Sequence, residues 1–213
     1  MIAIIDYKAG NLTSVKRALD FLGQDSVITS DYSTIVGAER VIFPGVGAAG
    51  KAVADLKNQK LDLALKEAVN DRKPVLGICL GIQIIMDKSI ENNTECLGLV
   101  KGEAVKFSDN LVDPEGRKLK VPHMGWNSVK LKKAHPLFEG VPPESEFYFV
   151  HSYYPVPEIP DNVLGETFYG ISFTSVITSD NLAAMQFHLE KSGRPGLKIL
   201  ENFCNWSGKG DVK

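Results

Sequence analysis

The chain has 213 residues, 44% of them hydrophobic, and a formal net charge of −2 at pH 7. That length and apolar content suffice for one full hydrophobic core, and a near-neutral charge gives no electrostatic ground for nucleic-acid binding. The short basic clusters Arg117-Lys118-Leu119-Lys120 and Lys130–Lys133 read as solvated turns.

In chain order, Met1-Ile2-Ala3-Ile4-Ile5-Asp6 is apolar but too short for a signal peptide or membrane span, and reads as a first buried strand. After the turn Lys8-Ala9-Gly10, Asn11 is a plausible N-cap for a helix through Leu22, with Leu12, Val15, Leu19 and Leu22 on one face and Gly23 ending it. Ser26–Thr29 and Arg40–Phe43 are strand-like, and Ala48–Leu56 and Leu61–Val69 are helical. Between Phe43 and Ala48, Pro44-Gly45-Val46-Gly47 lies just past a strand end, where ligands bind in an open α/β sheet. Its two glycines would let backbone N–H groups approach a substrate, although alone it reads first as an ordinary strand-to-helix turn.

Pro74–Ile78 is a short apolar run suited to a buried strand, and Leu80–Met86 has helical character. Between them Gly77-Ile78-Cys79-Leu80-Gly81 has the spacing of a nucleophile elbow, with a cysteine where a tight turn projects a side chain above the sheet. Backbone N–H groups at the start of the following helix can hold an oxyanion and favour a thiolate; a buried structural cysteine is the alternative.

From about Leu97, Gly98–Phe107, Ser128–Leu131, Phe147–Tyr154, Val163–Tyr169 and Ile171–Ile177 read as strands, separated by turns such as Asp113-Pro114-Glu115-Gly116. A helix over Pro195–Trp206 closes the chain. The expected fold is α/β: a mostly parallel central sheet flanked by helices, with additional antiparallel strands in the C-terminal half, forming one domain over 1–208 before a tail at 209–213. Cys79, Cys96 and Cys204 are widely separated and odd in number, which predicts a reducing, cytoplasmic setting without disulfides. No Cys-x-x-Cys or His-x-x-x-His spacing points to a metal, and no cofactor is expected.

A cysteine nucleophile needs a base, and the base an orienting partner. His135 sits in the polar turn Lys133-Ala134-His135-Pro136 and is expected to be solvated, whereas His123 and His151 have aromatic neighbours and read as packed. His188 follows the buried-looking strand Ala183-Ala184-Met185-Gln186-Phe187, with Glu190 two residues on. In an extended segment that spacing puts both side chains on one side, so the carboxylate can orient the imidazole.

Together, Pro44-Gly45-Val46-Gly47, Gly77-Ile78-Cys79-Leu80-Gly81-x-Gln83 and Gln186-Phe187-His188-x-Glu190-Lys191-Ser192 resemble the class I (triad) glutamine amidotransferases. Asp6-Tyr7-x-x-Gly10-Asn11, Val121-Pro122-His123-Met124-Gly125-Trp126-Asn127 and Phe149-Val150-His151-Ser152-Tyr153 narrow the resemblance to glutaminase subunits of imidazole glycerol phosphate synthase, in histidine biosynthesis. The resemblance implies hydrolysis of L-glutamine to glutamate, with ammonia channelled to a (β/α)8-barrel cyclase subunit in a heterodimer. It makes Cys79 the nucleophile, His188 the base and acid, and Glu190 its orienter. The N–H of Leu80, joined by that of Val46 or Gly47 after the loop adjusts, would hold the oxyanion. Gln83, Glu91, His151, Ser152 and Tyr153 match substrate-binding positions, and Asn11, Tyr148 and Lys191 match the partner interface. The family usually has proline between the histidine and glutamate, where this chain has Leu189, and glycine where it has Lys8. A paralogous glutaminase feeding surface-sugar amination and a non-catalytic amidotransferase-like activator are the alternatives.

Overall fold

The computed structural model describes residues 1–8 and 11–209; Ala9 and Gly10 of the expected first turn, and 210–213 of the expected tail, lie outside the described residues. The first half runs β1 (Ile2–Ile5), α1 (Leu12–Phe21), β2 (Ser26–Thr29), α2 (Tyr32–Gly37), β3 (Arg40–Gly45), α3 (Ala49–Asn58), α4 (Leu61–Asn70), β4 (Val75–Cys79) and α5 (Leu80–Ile84). The second half adds β5 (Lys88–Ser89), β6 (Thr94–Glu95), β7 (Gly102–Lys106), β8 (His123–Ser128), β9 (Lys130–Leu131), β10 (Glu146–His151), β11 (Tyr153–Pro157), β12 (Val163–Tyr169), β13 (Ile171–Ser179), β14 (Leu182–Met185) and α6 (Gly193–Asn205).

The main sheet has the order β2-β1-β3-β4-β14-β13-β12-β9. Its first five strands are parallel and the last three pair antiparallel, so the C-terminal half does extend a parallel sheet with antiparallel strands. The inner parallel strands β1, β3, β4 and β14 are largely apolar and buried on both faces, as strands covered twice must be. Ile2, Ile4, Ile42, Leu76 and Ile78 pack with α1 and α6, whereas Ala3, Ile5, Val41, Phe43 and Val75 pack with α2, α3, α4 and α5. On α6, Ile199, Leu200 and Phe203 are fully buried, each contributing about 2 kcal/mol of apolar transfer.

Several elements depart from the sequence reading. Helix α2 is absent from it, being six residues long and rich in β-branched side chains; the Asp31 carboxylate caps it by accepting from the Thr34 N–H at 2.8 Å. Residues 98–101 precede β7 rather than belong to it, and the helix after Cys79 ends at Ile84. The expected strand Ser128–Leu131 is instead the end of β8 and the two-residue β9, and α6 begins at Gly193.

The most consequential departure is at Phe147–Tyr154, which is two strands broken at Ser152. β10 pairs with β8, and β11 pairs with β7 in a separate four-stranded sheet. The chain changes sheets at Ser152, and this irregular backbone faces the C-terminal end of β4 across a cavity.

Candidate active site

Cys79 ends β4 and begins α5 with φ 55° and ψ −107°, a conformation that costs a non-glycine residue free energy and holds its side chain above the sheet. The flanking glycines make that turn possible. A Cβ on Gly77 would lie 2.8 Å from Phe43 Cζ, and one on Gly81 would lie 2.7 Å from the Phe43 carbonyl oxygen. Neighbouring β3 therefore passes too close for any side chain at either position.

His188 lies three residues past the end of β14, and β14 is the parallel neighbour of β4, which brings the imidazole beside the sulfur. Its N–H donates to the Tyr148 carbonyl at 2.9 Å, tying it to β10. Nδ1 lies 2.8 Å from Glu190 Oε1, and both side chains are almost wholly buried. The sequence spacing predicts this contact but not its backbone basis: Leu189–Lys191 is a 3-10 turn rather than extended chain. Glu190 is also bound from the first helix. Asn11 stands at the N-cap position of α1, yet its side chain does not cap; its Nδ2 donates to Glu190 Oε1.

Burial alone would push the His188 pKa down, but the Cys79 sulfur and the Glu190 carboxylate overcome it and hold the value up at about 9. Nε2, the nitrogen available to the sulfur, is buried and makes no hydrogen bond of regular geometry among the described residues. Cys79 Sγ stands 4.0 Å from the Val150 carbonyl oxygen, so the thiol is not sequestered by a strong bond.

Cys79 and His188 open onto a cavity of about 290 Å³ that is also lined by Val46, Gly47, Leu80, Gln83 and Glu91 and, opposite them, by the 150–153 segment. All the expected oxyanion and substrate-binding residues thus meet in one place. Gln83 Nε2 donates to the Tyr153 carbonyl at 3.0 Å and to Gln186 Oε1 at 3.2 Å. Glu91 Oε2 accepts from the Ala49 N–H at 2.7 Å, so the start of α3 holds this carboxylate at the cavity edge.

The expected interface residues lie close by. Tyr148 bridges His188 across the backbone, and Lys191 Nζ stands 5.7 Å above the Tyr148 ring. The sequence reading misses their neighbours: Met124 and Trp126 alternate outward on β8 and are 62% and 54% exposed, with Trp126 packed edge-on against Tyr148. Their alternation is the available signal, masked because 121–127 stands out as a motif before it stands out as a strand. His135 is a correction. It is buried rather than solvated, its Nδ1 accepting from the Leu137 N–H at 3.2 Å and its ring edge-on to Trp206.

The sequence model of the family described as Glutamine amidotransferase class-I matches residues 3–206. The chain is 53% identical to the imidazole glycerol phosphate synthase subunit HisH of Maridesulfovibrio salexigens over 206 residues, covering 97% of each. It is 46% identical to that of Neisseria meningitidis serogroup A over 210 residues, covering 96% of this chain and 99% of the relative. Among solved structures, PurLQS from Thermotoga maritima superposes with a TM-score of 0.70 at 18% identity, covering 96% of this chain and 97% of the other. The glutaminase domain of Trypanosoma brucei CTPS, solved with bound acivicin, gives 0.63 at 15% identity, over 99% and 95%.

Proposed function

The chain belongs to the class I glutamine amidotransferases and, within them, to the imidazole glycerol phosphate synthase HisH subunits, and from that premise we propose how its cavity works and where its product goes. It is the glutamine-hydrolysing subunit of that synthase, in histidine biosynthesis. The observation that carries the mechanism is the meeting of a strained elbow cysteine and a carboxylate-bound histidine on one cavity.

Glutamine enters with its side-chain amide over Cys79. The sulfur attacks the amide carbon, and the developing oxyanion is taken by the Leu80 N–H and by an N–H of the Val46-Gly47 loop, both at the cavity wall. His188 gives its proton to the leaving nitrogen, so that ammonia departs and a glutamyl thioester remains on Cys79. The imidazole, now neutral, takes a proton from water as the water attacks the thioester, releasing glutamate and restoring the pair. Glu190 keeps Nδ1 protonated and its positive charge compensated throughout. Gln83, Glu91 and the backbone of His151-Ser152-Tyr153 hold the amino-acid end of the substrate.

The ammonia passes to a (β/α)8-barrel cyclase subunit bound over Asn11, Met124, Trp126, Tyr148 and Lys191. Large apolar side chains exposed in a contiguous group are what a docking face offers, and Tyr148 is one backbone bridge from His188. The test is Cys79→Ala in the assembled synthase. Glutamine-dependent product formation is expected to vanish while added ammonia still supports it; loss of both would place the chemistry elsewhere.

A further inference from the structure

Behind the 151–153 segment runs a line of hydrogen bonds, buried at its centre, whose direction can be read from end to end. His151 Nδ1 lies 2.8 Å from the Tyr153 carbonyl oxygen, which only accepts, so Nδ1 carries the proton. His151 Nε2 lies 3.0 Å from His123 Nδ1. Neutral His151 has no proton left at Nε2, so His123 Nδ1–H must donate to it. His123 Nε2 is then the acceptor, with Asn127 Nδ2 at 3.3 Å. The Asn127 amide is itself oriented: Nδ2 donates to the Phe168 carbonyl at 2.9 Å, and Oδ1 accepts from the Ser128 N–H at 2.9 Å.

We propose that His123 is a positioning residue for glutamine binding, setting the direction of the chain Asn127→His123→His151→Tyr153 carbonyl that fixes the cavity wall. This rests on the glutamine-hydrolysis reading and deepens it. The Tyr153 carbonyl receives the last bond of this chain and also the bond from Gln83, so both lone pairs are used and the peptide cannot rotate without losing one. His151, Tyr153 and Gln83 all line the cavity, whereas His123 and Asn127 do not. The latter pair act only through their neighbours.

Both histidines are nearly inaccessible, His123 at 2% and His151 at 5%. Burial pushes their pKa values down to about 4 and about 3, so both rings are neutral under working conditions and the proton assignment holds. His123 is also stacked on Tyr169 at 4.0 Å and on Phe149 at 4.9 Å between ring centroids. Phenylalanine can take over this aromatic packing but has no polar atom, which separates the two roles of the ring.

The full chain, labelled with 15N on histidine, should show His123 and His151 as neutral Nδ1–H tautomers, the less common form for a free imidazole. An Nε2–H tautomer at His151 would overturn the proposal whatever the variants do. In the assembled synthase, His123→Phe is expected to raise KM for glutamine roughly five- to fifty-fold with kcat changed less than about two-fold. His123→Gln, which retains one donor and one acceptor, should restore most of the affinity. An unchanged KM in His123→Phe refutes the positioning role, as does a fall in kcat that His123→Gln leaves uncorrected. A wild-type synthase that hydrolyses no glutamine would instead overturn the reading on which the role rests.

Discussion

Replacing Glu190 by glutamine keeps the shape of the proposed triad and removes one charge. The amide oxygen can still accept from His188 Nδ1 at the present 2.8 Å, but the amide nitrogen must occupy the place of Oε2, which is buried with no partner among the described residues. Leaving that donor unsatisfied costs roughly 1–3 kcal/mol. The larger effect is on His188. Its pKa of about 9 stands above the ordinary 6.5, a net gain worth roughly 3 kcal/mol that Cys79 and Glu190 supply against burial. With the carboxylate gone, the value should fall by about 1–2. In the proposed mechanism the proton on His188 leaves with ammonia, so kcat/KM for glutamine in the complete synthase should decline on the alkaline side near pH 9, and in Glu190→Gln near pH 7–8. Stability follows the same sign: a raised histidine pKa stabilises the fold fully below about 6.5 and is lost as pH rises through about 9, a window that narrows in the variant. A uniform rate loss with an unmoved alkaline limb would refute the electrostatic role of Glu190.

Gly45→Ala should lower the melting temperature, because its Cβ would lie 2.1 Å from the Tyr7 hydroxyl of a side chain only 1% exposed; an overpacking cost of about 1–3 kcal/mol is expected, and Tyr7→Phe in the same chain should recover part of it. Leu189→Pro restores the residue usual in the family, and the backbone accepts it: His188 is extended at φ −88° and ψ 107°, and residue 189 opens a 3-10 turn. Since Leu189 is wholly buried, the variant should lose about 1–2 kcal/mol by thermal melting yet retain most glutaminase activity, and an inactive but folded variant would contradict this account.

The parts of the site legible in the sequence are those set by local constraint. Glycines on both sides of Cys79 are required by the closeness of Phe43, and that requirement appears directly as spacing. The His188–Glu190 contact is also readable, though through the wrong backbone: a 3-10 turn and an extended segment can each bring side chains two residues apart together. Contacts between distant segments leave no such trace. Asn11 reads locally as a helix cap, and only the fold, by setting the start of α1 against the 3-10 turn, gives its amide to Glu190. The break at Ser152 is hidden because Phe147–Tyr154 is continuously strand-like; the change of sheet depends on β7 and β8, which lie far away in sequence.

The four histidines show why residue type and neighbourhood have to be weighed together. Burial is the first influence on each, and in every case it disfavours the imidazolium. At His123, His135 and His151 no carboxylate or sulfur answers it, and the values fall to about 4, about 4 and about 3. At His188 two acidic partners answer it, and the value rises to about 9. The same low-polarity interior therefore holds a charged group on one wall of the cavity and a neutral hydrogen-bonded line behind the other. In the proposed mechanism the proton needed for ammonia departure sits on the first wall. On the second, a charge would compete with the ordered donors and acceptors that fix the Tyr153 carbonyl, and the neutral histidines hold that carbonyl without introducing one.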